Sequence, residues 1–203
     1  MNRKVILASG SPRRHEILEM AGVEHVVMPA SCDESAVKET DPKKLVYELS
    51  RLKAYACLDA IIDKRKFMPA FDKGYVILAS DTVVAIDGEI LGKPASGADA
   101  FKMIKELQGR IHHVYTGVTL LPPEDAENDR EAGITFVEAT EVKVAPMTDD
   151  EIEAYVKTGE PMDKAGAYAI QGIFCKFVES INGDYYTVMG LPIAKVYSEL
   201  KKI

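Results

Sequence analysis

Residues 5–22 read VILASGSPRRHEILEMAG, and this stretch constrains the fold more than any other part of the chain. Its apolar start predicts a buried strand, and small residues then lead into a helix that Ser11 caps, Pro12 begins and Gly22 ends. Further along, strands alternate with helices at first and pair antiparallel later. The sequence therefore predicts a mixed α/β architecture.

Cap and turn signals locate the other elements of this architecture. A long helix is predicted from Asp41 and Pro42 to about residue 62, followed by a polar loop to residue 74. The pair Asp87-Gly88 predicts a hairpin turn. The remaining predictions are a helix over 97–108, long strands over 112–121 and 134–147, a helix after the capping box Thr148 and Glu151, a strand over 173–181 and a terminal helix over 190–203.

The overall charge excludes some classes of partner. With 25 basic against 32 acidic residues, the chain has a net charge of -7, which argues against nucleic acid or an anionic membrane as the main partner. Three cysteines at wide spacing (Cys32, Cys57 and Cys175) suggest free thiols in a reducing cytoplasm. The apolar start is too short for a signal peptide, and 203 residues suit one large domain or two interlocked lobes.

Arg13 and Arg14 stand in the first turn of the first helix, where a cation is disfavoured by ~0.3–1 kcal/mol. An anion at this helix start would offset both charges. A turn of small residues also presents backbone N–H groups to phosphate, and guanidinium groups match phosphate oxygens. The alternative is that both arginines form ordinary surface ion pairs with nearby acids.

Lys53 stands among apolar residues of the long predicted helix. At about 100° per residue, it falls between Leu49 and Val46 on an arc that also includes Leu52, Ala56, Cys57 and Ala60. The functional interpretation is an ammonium group at the wall of a cleft. The alternative is a lysine that extends along the core to reach water.

Asp81 lies between the apolar runs VILAS and TVVAI, where an ionised carboxylate is costly unless a cation, a metal or a reacting water requires it. The alternative is an aspartate that makes turn hydrogen bonds at a strand end. Lys93, after the hairpin, either folds back beside Asp81 or is an ordinary loop lysine. Together with Glu34, these residues suit a polyphosphate with Mg²⁺ or Mn²⁺, since oxygen ligands favour those ions over zinc. His112 and His113 are interpreted as strand-end residues.

Seven motifs, in order, resemble those of the Maf family. They are LASGSPRRHEIL, CDE, RLKA, ASDTVV, GKP, TGEPMDKAGAYAIQG and INGDYYTVMGLP, and they extend from residue 5 to about residue 195. The resemblance implies an elongated mixed β-sheet flanked by helices, with two lobes around a cleft, related in shape to inosine triphosphate pyrophosphatases. It also implies one domain over 1–203, hydrolysis of nucleoside triphosphates between the α- and β-phosphates, and a homodimer.

The resemblance also assigns roles to residues. It implies that Asp81 is the catalytic proton acceptor and that Glu34 helps to hold metal or water, so that Glu34 and Asp81 are the metal-side acids. Lys53 and Lys93 complete the catalytic set. The phosphate path is assigned to Ser9 and Arg14 with these lysines, and substrate choice to Arg13, Thr82 and Gln171.

The run DKAGAYAIQG and the Thr after Asp81 resemble the branch of the family that acts on dTTP and UTP. The amide of Gln171 can both donate to and accept from the O4 and N3–H edge of thymine or uracil. The alternative for Gln171 is a strand residue that bonds backbone. Residues 61–74 form a longer segment than expected, and substrate preference would differ if this segment folds over the cleft.

Two other functions stay open at this point. One is a nucleotide-binding regulator of cell division with little turnover, which would not need the Asp81 carboxylate. The other keeps the enzyme but changes the substrate to a modified pyrimidine nucleotide.

Overall fold

Seven strands form one mixed sheet in the computed structural model, which describes residues 4–65, 74–123 and 132–203. The strands are β1 (Lys4–Leu7), β2 (His25–Val27), β3 (Tyr75–Ile86), β4 (Glu89–Leu91), β5 (Ile111–Leu121), β6 (Ile134–Val144) and β7 (Val178–Asn182). The helices are α1 (Pro12–Met20), α2 (Pro42–Arg65), α3 (Gly97–Leu107), α4 (Asp149–Val156), α5 (Tyr185–Met189) and α6 (Ile193–Leu200), with 3₁₀ turns at Glu34–Ala36, Glu160–Asp163, Ala165–Ala167 and Ile173–Phe177.

The strand order is β2-β1-β3-β5-β6-β7, and β4 pairs with β3 outside this order. Strand β1 is parallel to both β2 and β3, whereas β3, β5, β6 and β7 pair antiparallel in succession. Helices α1 and α2 make the crossovers between the parallel strands. The mixed α/β prediction is thus confirmed, with the parallel part at the beginning of the chain.

Strand β3 is the centre of the molecule. Its first residues pair with β1, its last residues pair with β4, and β5 runs along nearly its whole length. One apolar core lies against α1 and α6, and a second lies against α2. A third core gathers α3, α4, β4 and the 3₁₀ turns around the far end of β3. All three cores lie against the same seven-stranded sheet.

Several predicted elements are confirmed with small shifts. Thr148 and Glu151 form a reciprocal capping box at α4. Helix α2 is three residues longer than predicted, and residues 66–73 of the unusually long segment lie outside the described residues. Ser11 occupies the N-cap position of α1, but its side chain accepts no capping hydrogen bond. The predicted position of Ser11 at the start of the helix is therefore confirmed.

Two other predictions need correction. Residues 173–181 are not one strand, because Ile173–Phe177 forms a 3₁₀ turn before β7 begins. On α2, Leu52, Ala56 and Ala60 are only partly buried, while Ser50, Ala54 and Leu58 are fully buried. The helix is rich in small residues, so periodicity alone could not determine the edge of its buried face. Viewed down the helix axis, Lys53 does lie between the buried residues Val46 and Leu49, as predicted.

The structure also bears on the membrane question. Within the three described ranges, no helix has the length and apolarity required to cross a membrane.

Candidate functional site

One cleft of about 820 Å³ collects every site residue predicted from the sequence. The residues are Ser9, Arg13, Arg14, Glu34, Lys53, Asp81, Thr82, Lys93 and Gln171. They come from positions up to 162 residues apart, and the topology of the sheet brings them together. The central requirement of the sequence interpretation, that these side chains converge, is met.

The charge of the cleft is opposite to that of the protein. Among the described residues that line it, five are basic and three are acidic, whereas the whole chain carries a net charge of -7. The basic residues are Arg13, Arg14, Lys53, Lys93 and Lys164, and the acidic ones are Glu34, Asp81 and Asp163. A local excess of cations in a concave site attracts a polyanion.

Arg14 is partly buried and has three hydrogen-bond partners. Its Nε donates to the carbonyl of Gly190 at 2.9 Å, and its two terminal nitrogens donate to Ser9 at 3.0 Å and to Thr82 at 3.3 Å. Burial lowers the pKa of Arg14, while the Asp81 carboxylate opposes this change. The fork of Arg14 therefore joins the turn after β1, strand β3 and the C-cap of α5, and the surface ion pair considered as its alternative is wrong.

Arg13, in contrast, does form a surface ion pair with an acidic residue. Its Nη1 lies 3.5 Å from Oδ2 of Asp163, a residue 150 positions later in the chain. The pair is long and lies at the edge of the cleft, so an incoming anion can replace the carboxylate at little cost.

Lys53 joins the two predicted metal-side acids. Its Nζ lies 2.5 Å from Oδ1 of Asp81 and 3.2 Å from Oε1 of Glu34. Asp81 is 8% exposed and stands in the middle of β3, opposite Gly117 of β5, so it is not a strand-end residue. The ammonium makes the burial of the carboxylate possible, because a buried charge requires a partner.

Gly117 determines how closely α2 approaches the sheet. A Cβ atom at this position would lie 2.1 Å from the carbonyl oxygen of Val46 in α2, which is far inside contact distance. Lys53 follows Val46 by two turns on the same helix. The absence of a side chain on the residue that pairs with Asp81 therefore allows the Lys53 ammonium to reach that carboxylate.

Thr82 is held between two groups. Its Oγ1 accepts the Arg14 hydrogen bond and lies 2.9 Å from Oγ1 of Thr116, whose hydroxyl in turn donates to the Thr187 carbonyl at 2.8 Å. The hydroxyl network orients Arg14. Thr82 is thus placed beside the cationic part of the cleft.

Lys93, Lys164, Tyr168 and Gln171 reach the cleft from segments without α-helix or strand. Gly166 there has φ +65°, and a Cβ atom would lie 2.8 Å from Val84. Ala167 is buried at φ 59°, a left-handed conformation that costs roughly 1–2 kcal/mol without glycine. Tight packing against β3 maintains this conformation.

The acids of the cleft suit a hard divalent cation. Glu34 and Asp81 both approach the Lys53 ammonium, so their oxygens converge on one place. No group of three or more His, Cys, Asp or Glu residues in the described part of the chain is arranged to hold a metal. Mg²⁺ is commonly held by one or two carboxylates plus phosphates and water, and the two acids fit that pattern.

Several lining residues were not singled out from the sequence. Cys32 lines the cleft, and burial together with Glu34 raises the pKa of its thiol, which reduces its reactivity. Asp163, Lys164 and Tyr168 were quoted only as part of the motif TGEPMDKAGAYAIQG. The spacing of these three residues has no simple periodicity, so only the motif itself could have indicated them.

Comparison with known proteins adds independent information. The family model described as Maf-like protein matches residues 4–203. A dTTP/UTP pyrophosphatase of Lachnoclostridium phytofermentans is 43% identical over 98% of this chain and 94% of its own length. One of Agathobacter rectalis is 42% identical over 98% and 97%. A solved HAM1 protein from Coxiella burnetii aligns over 99% of this chain and 100% of its own at a TM-score of 0.52 and 17% identity, which supports the fold alone.

Proposed function

Since the chain belongs to the family of Maf-like proteins, we propose that it is a pyrophosphatase that hydrolyses dTTP and UTP to the monophosphate and pyrophosphate. Relatives that align over nearly its full length carry the name dTTP/UTP pyrophosphatase, and these names favour an enzyme over a regulator with little turnover. The observation that carries the proposal is the convergence of Asp81, Lys53 and Glu34 in a cationic cleft.

The Asp81 carboxylate is the proposed proton acceptor. A water molecule attacks the α-phosphorus and Asp81 takes its proton, while the bond from that phosphorus to the bridging oxygen breaks. The electron pair leaves with pyrophosphate. When the triphosphate binds, the Lys53 ammonium turns from Asp81 towards the phosphates, which frees the carboxylate to act as a base.

The cations of the cleft stabilise the leaving group. Arg14, Lys53 and Lys93 neutralise the charge that develops on pyrophosphate. Arg13 exchanges Asp163 for a phosphate oxygen. Ser9 and the N-terminus of α1 present the donors that orient the phosphates. The arginines at the positive end of the helix dipole are thus offset by the substrate.

Glu34 and Asp81 would hold Mg²⁺ or Mn²⁺. The ion would supply further neutralisation of the triphosphate. We propose Gln171 as the base-reading residue, with Arg13 and Thr82 as further determinants of substrate choice. Gln171 is exposed in the cleft, so its amide is accessible to a base edge that offers one acceptor and one donor.

The test is a panel of nucleoside triphosphates assayed with each metal and with a chelator. The panel contains the eight common nucleotides, 5-methyl-UTP and pseudouridine triphosphate, and the products are resolved as monophosphate, pyrophosphate or orthophosphate. We expect pyrophosphate from dTTP and UTP, a metal requirement, and ¹⁸O from labelled water in the monophosphate. Release of orthophosphate, or binding without turnover, would contradict the proposal.

We further propose a single domain over 1–203 with two lobes, a homodimer and a cytoplasmic location. The shared seven-stranded sheet supports the single domain. Sedimentation equilibrium tests the dimer, and a monomer at micromolar concentration would exclude it. Cell fractionation tests the location.

A further inference from the structure

The Glu160 carboxylate contacts the backbone immediately after Gln171. The backbone N–H of Ile173 donates to Glu160 Oε2 at 2.9 Å, and that of Phe174 donates to Oε1 at 3.3 Å. Both oxygens are therefore used, and they bind the first two N–H groups of the 3₁₀ turn Ile173–Phe177. These groups would otherwise have no acceptor within the turn.

The residue between Gln171 and this turn is a glycine for a steric reason. A Cβ atom on Gly172 would lie 2.4 Å from Glu160 Oε2 and 2.5 Å from Oε1. Its φ of -98° is open to any residue, so a side chain here would leave the backbone unstrained but would displace the Glu160 carboxylate. The carboxylate is thus packed directly against the chain that carries Gln171.

Glu160 is itself held in place. The hydroxyl of Tyr155 donates to Glu160 Oε1 at 3.0 Å, and the Tyr155 ring packs on Phe174 with centroids 5.0 Å apart. Burial and the adjacent carboxylate raise the pKa of Tyr155, so the phenol remains a donor. Lys164, which lines the cleft, donates to the Glu160 carbonyl at 2.9 Å.

We propose that Glu160 is a positioning residue for base selection, which it performs by holding the backbone of Ile173 and Phe174 so that Gln171 projects into the cleft. This inference rests on the proposed function. Glu160 is not among the described residues that line the cleft, so it acts through Gln171 rather than on the substrate.

The first test is Glu160→Gln. The amide retains the size of the carboxylate but has only one acceptor oxygen, so one backbone N–H faces a donor. We expect kcat/KM for dTTP relative to dCTP to fall about tenfold, mainly through KM, with kcat for dTTP within threefold of the original. Glu153→Gln, the same change at an exposed position of α4, is the matched control and leaves the ratio unchanged.

The second test distinguishes positioning from general stability. In a Gln171→Ala background, Glu160→Gln should reduce the dTTP to dCTP ratio by less than twofold further, because the residue through which it acts is gone. An equal loss in both backgrounds overturns the inference, as does an unchanged ratio in Glu160→Gln alone.

Tyr155→Phe provides a milder variant if Glu160→Gln does not fold. It removes one of the two donors to Oε1 and leaves the N–H of Phe174, and we expect about a threefold loss of the same ratio; no loss overturns the inference. Failure of the proposed pyrophosphatase function would be recognised separately. If the original protein does not release pyrophosphate from any triphosphate, both proposals fall. If the original protein is active and selective and both variants, Glu160→Gln and Tyr155→Phe, keep the same selectivity, only the positioning role of Glu160 is overturned.

Discussion

Two groups of residues line the cleft, and they are built differently. The strand–helix group (Ser9, Arg13, Arg14, Lys53, Asp81 and Thr82) comes from β1, α1, α2 and β3 or from the turn between them. The turn group (Lys93, Lys164, Tyr168 and Gln171) comes from connecting segments and 3₁₀ turns. In the first group, charged side chains bond each other and backbone groups across three elements. In the second, the backbone just after Gln171 donates to the Glu160 carboxylate.

The difference separates two tasks. Proton transfer and phosphate binding require charges at fixed distances, which regular structure provides. Base selection requires one side-chain amide, that of Gln171, at the correct position in the cleft. A loop can change the position of this amide without moving the charged residues. Substitutions of Asp81 and Arg14 in the first group should therefore change rate and stability, and substitution of Gln171 in the second should change selectivity.

Asp81→Asn should give the largest effect, a loss of 10²- to 10⁴-fold in kcat, because the proton acceptor is removed. The variant stays folded, since Lys53 retains Glu34 as a partner. Pyrophosphate release measures the rate. Asp87→Asn is the control: it lies in the hairpin turn beyond the same strand at φ 51°, a conformation that Asn adopts readily, and its activity should not change. Turnover by Asp81→Asn within threefold of the original would remove Asp81 from its role.

Low pH should destabilise the protein near the turn group, because His112 contacts Tyr168 there. This residue is fully buried on β5, and its Nε2 lies 2.8 Å from the Tyr168 hydroxyl. Its Nδ1 is the buried side-chain atom that lacks a hydrogen-bond partner in the described ranges. Burial lowers the pKa of His112 to about 4, and His113 contributes. Between the unfolded value near 6.5 and about 4, the unfolded chain binds a proton that the folded chain does not, so stability falls as pH falls.

We therefore expect His112 to account for about 3 kcal/mol of the free energy of unfolding lost between pH 7 and pH 4. Urea unfolding of His112→Gln at both pH values should show a pH-dependent loss smaller by that amount. His113→Gln, at an exposed ring beside Glu141, serves as the comparison. If His112→Gln and the original protein lose equal stability in acid, the assignment is incorrect.

Arg14→Lys tests whether the strand–helix group supports the fold as well as the chemistry. An ammonium cannot reproduce the fork that reaches Gly190, Ser9 and Thr82, so the free energy of unfolding should fall by about 2 kcal/mol. Arg13→Lys, which affects one long surface pair, should change it by less than about 0.5 kcal/mol. Thermal and urea unfolding measure both. Equal effects would mean that Arg14 has no structural role.

Gln171→Ala should have the smallest effect on the best rate. We expect kcat for dTTP to stay within threefold, while kcat/KM for dTTP relative to dCTP falls about tenfold, because a base contact is lost. The fold should be unaffected, since the side chain is exposed. Equal losses for every nucleotide would show that Gln171 does not read the base.

The strand–helix group was predictable from the sequence because a charged residue within an apolar run can be recognised from the sequence alone. Lys53 and Asp81 each interrupt an apolar pattern, and both line the cleft. The role of Arg14 as a bridge was not predictable, since the carbonyl of Gly190 lies 176 residues away.

The turn group was harder to predict from the sequence, for a physical reason. Its conformation depends on 3₁₀ turns, a left-handed Ala167 and a carboxylate packed on Gly172, none of which produces a hydrophobic period. The 3₁₀ turn at Ile173–Phe177 was predicted as a strand because its apolar residues suit either. Tertiary hydrogen bonds from Glu160 determine the outcome there.

Gly117 has a consequence for how the protein can change over generations. The mutational tolerance of the long helix is limited by a strand residue outside it, because a methyl group at 117 would displace Val46 and every residue that moves with it. Substitutions on the exposed side of that helix are accommodated separately, whereas a single added carbon opposite Asp81 separates the ion pair. Crystallography of Gly117→Ala would measure that separation, and an unchanged Lys53 to Asp81 distance would show that the backbone contact is not limiting.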